Sequence, residues 1–103
     1  MPNKEPQISD PAAADLIEIG DYIAQNSMEH ARLLVNEIYD AMYKLVAMPR
    51  MGSKRPDLSK DESLAFWIVR GHYMIIYRPD VEPVEIVRVL HTSRDIARIL
   101  NET

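Results

Sequence analysis

Arg55, Arg70, Arg78, Arg88 and Arg94 all fall in the second half of the chain, in or beside its strand-like runs. A guanidinium is planar, permanently charged and carries a fork of donors, so such residues suit carboxylate or phosphate partners. The bland alternative is that they pair with Asp57, Asp61, Glu82, Glu85 or Asp95 and merely orient loops. Arg88 stands apart because it interrupts an apolar run, where a guanidinium without a partner is costly to bury. His72 and His91 add imidazoles, which exchange protons near neutral pH. Acid–base catalysis would also need an oriented partner and a nucleophile within reach, so His91, His72 and His30 read as hydrogen-bonded structural residues. Phe66, Trp67 and the tyrosines offer faces for base stacking but lack the interleaved cations of single-strand binders. The three histidines lie far apart and cysteine is absent, so no metal site, cofactor or disulfide is expected.

The elements that must position these residues follow from apolar periodicity. Gln7-Ile8-Ser9 reads as a short edge strand after a polar, loose lead of Met1 to Pro6. Asp10-Pro11 starts a helix, with the Asp side chain as the expected cap. Ala12, Leu16, Ile19 and Ile23 recur at helical spacing, and Asp15, Glu18 and Asp21 are assigned largely to the other side. After Gln25-Asn26-Ser27, a longer stripe runs through Ala31, Leu34, Val35, Ile38, Met42 and Leu45 until Pro49 closes the second helix. Two striped helices on a short connection are antiparallel neighbours that still need another layer. Leu64 to Arg70, His72 to Arg78 and Val84 to Leu90 supply it as three strands joined at Gly71 and at Pro79 to Pro83. Met51 to Ser63 reads as an exposed loop. Thr92 with Asp95 resembles a helix start, which puts Ile96, Ile99 and Leu100 on a short closing helix.

The expected architecture is therefore α+β, in the order β-α-α-β-β-β-α, with one domain spanning residues 1–103. The strands are apolar on both faces, so a second cover is expected on the side away from the helices. Of Phe66 and Trp67, the one facing the helices is assigned to the core and the other to an apolar face covered by a partner. A formal charge of −4 and a pI near 5.3 argue against DNA binding by the chain alone. No apolar run is long enough for a membrane span and no leader is visible, so a cytoplasmic protein is expected.

Several pieces together resemble the ParE/RelE superfamily of toxins from type II toxin–antitoxin systems. They are Ala14-Asp15-Leu16 with Ile19 and Tyr22-Ile23, the loop Pro49-x-x-Gly52-x-x-Arg55-x-Asp57-Leu58, Tyr73 and Tyr77, and Ile86-Val87-Arg88-Val89-Leu90-His91 followed by Arg94-Asp95. The resemblance implies a small toxin whose helical hairpin packs on an antiparallel sheet. It also implies a cognate antitoxin, of ribbon-helix-helix type, whose flexible tail folds on binding.

Two activities occur in the superfamily. RelE-like members cut messenger RNA on the ribosome, a reaction that needs cations to stabilise the phosphorane and groups to move protons. Where those nucleases place basic residues, this sequence has Phe66, Ile68 and Met74, and its closing helix has no Tyr or His. The resemblance is therefore to the ParE-like branch, which implies poisoning of DNA gyrase by binding, with no catalytic residues. Arg55, Phe66, Ile68, Arg70, Met74, Arg78, Arg88, His91 and Arg94 become the candidate target- or antitoxin-binding residues. A toxin dimer within the toxin–antitoxin assembly is a further expectation. The alternatives are a ribosome-dependent messenger-RNA interferase and a non-toxic antitoxin-binding regulator.

Overall fold

A computed structural model describes residues 4–102, so part of the polar lead lies outside the described residues. The described residues form β1 (Gln7–Ile8), α1 (Asp10–Ala24), α2 (Met28–Ala47), a 3-10 turn (Pro49–Met51), β2 (Ala65–Val69), β3 (Tyr73–Arg78), β4 (Glu85–His91) and α3 (Ile96–Asn101). The sheet order is β1-β4-β3-β2. The β2, β3 and β4 meander is antiparallel as expected, while β1 adds in parallel beside the first residues of β4.

Local chemistry sets the helix ends. Ser9, and not Asp10, caps α1: its hydroxyl accepts from the Ala12 amide at 3.1 Å and donates to the Val87 carbonyl at 2.8 Å. One side chain thus satisfies a first-turn amide and fastens the helix to β4. Asp10 instead occupies the first turn, where a carboxylate complements the helix dipole. Ser27 caps α2 in the same way through the His30 amide. Asp95 caps α3 with its own carboxylate, so the start of this helix does not depend on Thr92.

Both helices lay their stripes on one face of the sheet. Ala12, Leu16, Leu34, Ile38, Met42 and Leu45 pack there with Ala65, Val69, Ile75, Tyr77, Ile86 and Val89, and Trp67 joins this side partly buried. Each fully buried aliphatic side chain contributes roughly 1.5–3 kcal/mol, so this layer dominates the stability of the fold. The opposite face differs from expectation. Phe66, Met74, Ile76 and Leu90 are buried there under Ile96, Ile99 and Leu100 of α3 and under Leu58 and Leu64 of the loop. The cover expected from a partner comes from the chain itself, because the turn after β4 folds α3 back across the sheet. Ile68 alone among the three nuclease-position residues stays well exposed, at 43%.

A bulge in β4 completes the frame. Tyr77 pairs with Ile86 and Ile76 with Arg88, which leaves Val87 as an extra residue. Arg88 consequently leaves the sheet on the α3 side, next to the stretch of β4 edge that β1 does not cover.

Candidate functional site

The candidate residues separate into three places. At one end of the sheet the β2–β3 turn brings Arg70 and His72 beside His91, and the chain beyond β4 carries Arg94. Below α3, Arg78 and Arg88 line a cleft of about 460 Å³ with Ser59, Lys60 and Glu85. Arg55 shares a shallower cleft of about 270 Å³ with Phe66, Ile68 and Met74 at the β2 edge. Neither of these clefts gathers all nine residues.

Each candidate arginine has an acidic neighbour. Arg88 reaches round the β4 edge to Asp15 on α1, with Nε 2.7 Å from Oδ2 and Nη2 2.8 Å from Oδ1. Oδ2 also accepts from the Val89 amide at 3.0 Å. Asp15 was expected on the far side of its helix, yet it is only 6% exposed. Its position, three after Ala12 and four before Ile19, falls within the apolar stripe, and that spacing was the missed signal. The fork to Asp15 raises the Arg88 pKa against the opposing effect of burial. Arg88 is thereby a clamp between α1 and β4, and Asp15 fills the role that a further strand would play on this edge.

The remaining pairs are more exposed. Arg55 donates to both carboxylate oxygens of Asp57, at 3.0 and 2.9 Å, which raises the pKa of Arg55 and lowers that of Asp57. Arg78 lies 3.2 Å from Glu85 and 3.5 Å from Asp61 and donates to the Ser63 hydroxyl. The Ser63 hydroxyl and amide, with Arg78 behind them, hold the Asp61 carboxyl below its usual value. Arg70 is bonded to Glu37 of α2, which raises its pKa. Arg94 is 4.0 Å from Glu18. Of the acids expected to serve as partners, Glu82 instead takes Lys4 and Asp95 caps α3.

His91 is engaged in its own turn. Its Nδ1 accepts from the Ser93 amide at 3.0 Å and lies 2.7 Å from the Ser93 hydroxyl. With Nδ1 accepting from this amide, the ring's N–H lies at Nε2. The ring stacks on His72 with centroids 6.0 Å apart and meets Tyr73 edge-on at 5.1 Å. Among the described residues, no three His, Cys, Asp or Glu side chains are grouped as a metal would need. No helix among them is long and apolar enough to cross a membrane.

Tyr77 joins β3 to the segment from Pro49 to Gly52. It is fully buried, donates to the Pro49 carbonyl at 2.7 Å and accepts from the Gly52 amide at 2.9 Å. A Cβ on Gly52 would lie 2.9 Å from the Phe66 carbonyl and closer still to the Tyr77 hydroxyl, so only glycine fits. The loop that carries Arg55 is thus anchored at its root to β3.

Comparison with known proteins accords with this architecture. Residues 7–96 match the family model described as ParE toxin of type II toxin-antitoxin system, parDE. No curated protein matches the chain. A solved structure titled "Chromosomal ParDE TA system from P. aeruginosa" is similar in fold, with a TM-score of 0.69 and 23% identity, over 86% of this chain and 96% of that one.

Proposed function

The chain belongs to the ParE toxin family of type II toxin–antitoxin systems, and from that premise we propose that it poisons DNA gyrase by binding and is neutralised by a cognate antitoxin. Membership gives it the toxin role with an antitoxin partner. The finer reading rests on one observation: each of the five candidate arginines already faces a carboxylate of its own chain. A ribonuclease site needs cations aimed at the position of the phosphorane, where they are held ready for developing charge. Here Arg88 is consumed in clamping α1, and Phe66 and Met74 are packed beneath α3. Guanidinia already paired with carboxylates suit protein recognition better than phosphoryl transfer.

In this reading the toxin acts as one domain, stabilising the cleaved DNA intermediate of gyrase through a surface near the sheet and closing helix. A ribbon-helix-helix antitoxin covers part of the same molecule with its tail. Supercoiling and cleavage assays with purified gyrase test the target: inhibition with accumulated cleaved complex is expected, and its absence at excess toxin rejects the reading. Primer extension on translating ribosomes should show no new cuts. Site-specific cuts abolished by changing Arg94 or Arg88 would favour the interferase alternative.

A further inference from the structure

We propose that the tip of the β2–β3 hairpin, Arg70-Gly71-His72, engages the target protein, with Arg70 exchanging its own Glu37 for a carboxylate on that target. The inference rests on the gyrase reading above and specifies the chemistry by which the toxin grips it.

Backbone geometry supplies the first reason. Arg70 has φ of 56° and Gly71 has φ of 72°, so both central residues of the turn occupy the left-handed region. Glycine enters it without penalty and Asn or Asp with little, whereas a long side chain brings its Cβ against the neighbouring carbonyl. Arg70 is the single non-glycine residue with positive φ among the described residues. Its internal contacts return little for that strain. The side chain is 56% exposed and its pairing with Glu37 is a surface ion pair, a type of contact that contributes weakly to stability. The β2–β3 hairpin accounts for the turn but not for an arginine in it, and a residue held against the local preference is a mark of function.

The setting supplies the second. A Cβ built on Gly71 meets nothing within 4 Å, and His72 is exposed, so the tip projects into open space. Its base is firm: the His72 amide bonds to the Val69 carbonyl at 3.1 Å, and the Thr92 amide bonds to the His72 carbonyl at 2.8 Å. The His72 ring is braced on His91. A donor fork is therefore presented from a rigid mount at low ordering cost. The partner chemistry follows from Glu37, whose carboxylate already occupies the fork. A fork that already holds one carboxylate in this geometry fits another, so a carboxylate on the target protein is the matching occupant.

Arg70→Gly tests the proposal, because it relieves the strain while removing the fork. The thermal midpoint should stay within about 5 °C of the unmodified chain. The concentration giving half-inhibition of gyrase supercoiling should rise about tenfold or more, and growth arrest on induction should be lost. Arg70→Asn, which also tolerates the turn, should behave alike and guards against a folding defect peculiar to one variant. Variants that poison gyrase as strongly as the unmodified chain defeat the tip assignment alone. An unmodified chain inert towards gyrase defeats the target reading and the tip with it. Anisotropy with linear duplex DNA covers the remaining outcome: binding that disappears in Arg70→Gly would identify phosphate as the occupant and overturn the choice of a carboxylate.

Discussion

Asp15 shows how much one side chain controls in this toxin. It accepts three bonds, two from Arg88 and one from the buried Val89 amide, and so substitutes for a missing strand on the β4 edge. Asp15→Ala would strand a part-buried guanidinium and an amide together, and a loss of about 3 kcal/mol is expected in denaturant unfolding. Asp15→Asn retains an acceptor and should cost about half as much. A double-mutant cycle with Arg88→Met checks the pairing, since two residues in one network must be non-additive. Tyr77 is the corresponding residue on β3. Tyr77→Phe leaves the Pro49 carbonyl and Gly52 amide without their partner, at an expected cost of about 1–3 kcal/mol. Burial raises the pKa of both Tyr73 and Tyr77. Their phenols are neutral in both folded and unfolded chains below about pH 10, so stability does not depend on them there. Above it the unfolded chain ionises first, and stability falls as pH rises through the folded-state values. Unfolding midpoints measured from pH 8 to 11 should fall at the alkaline end, and less steeply in Tyr77→Phe.

Among the elements, α3 has the largest effect for its size. Six residues place Ile96, Ile99 and Leu100 over Phe66, Met74, Ile76 and Leu90, with Ile96 itself 4% exposed. Ile96→Ala should cost about 2–4 kcal/mol, measured by chemical denaturation, because it opens a cavity in the smaller of the two apolar layers. This element also marks where sequence reasoning stopped. The helices were legible because Ala12, Leu16, Ile19 and Ile23, and then Leu34, Ile38, Met42 and Leu45, keep helical spacing over several turns. The meander was legible because its strands are branched, aromatic and separated by Gly71 and the proline turn. The second cover is read from the sequence as a partner's, since Ile96, Ile99 and Leu100 mark one apolar helix face without saying what it packs on, and two isolated leucines in a loop carry no period. The arginine partners were hidden for a different reason. Glu37 and Arg70 are 33 residues apart and Asp15 and Arg88 73, and no local pattern reports a contact over such distances. Asp15 is the exception, because its spacing places it within the stripe.

For the molecule as a whole, the two faces of the sheet are held by unequal layers, and that inequality predicts an order of opening. On one side, two long helices cover β3 and β4 with a broad apolar cluster. On the other, α3 and the loop through Leu58 and Leu64 cover a smaller one. β3 lies between both layers, is bonded to a strand on either edge and has five consecutive buried residues. Its amides can reach water only when the sheet itself comes apart, whereas α3 can lift while the helical hairpin and meander stay in place. Native-state hydrogen exchange should therefore show two classes. The amides of Tyr73–Tyr77 should exchange at the free energy of global unfolding and respond steeply to denaturant. Those of Ile96–Asn101 should exchange at a lower free energy with little denaturant dependence, because lifting six residues exposes little surface. Lifting α3 would uncover Phe66 and Met74 and leave the Asp15–Arg88 clamp on α1 intact, so the apolar face can become accessible without loss of the fold. Equal protection and equal denaturant slopes in α3 and β3 would show that the cover opens only with the whole molecule, and that these two side chains are out of reach of any partner in the folded state.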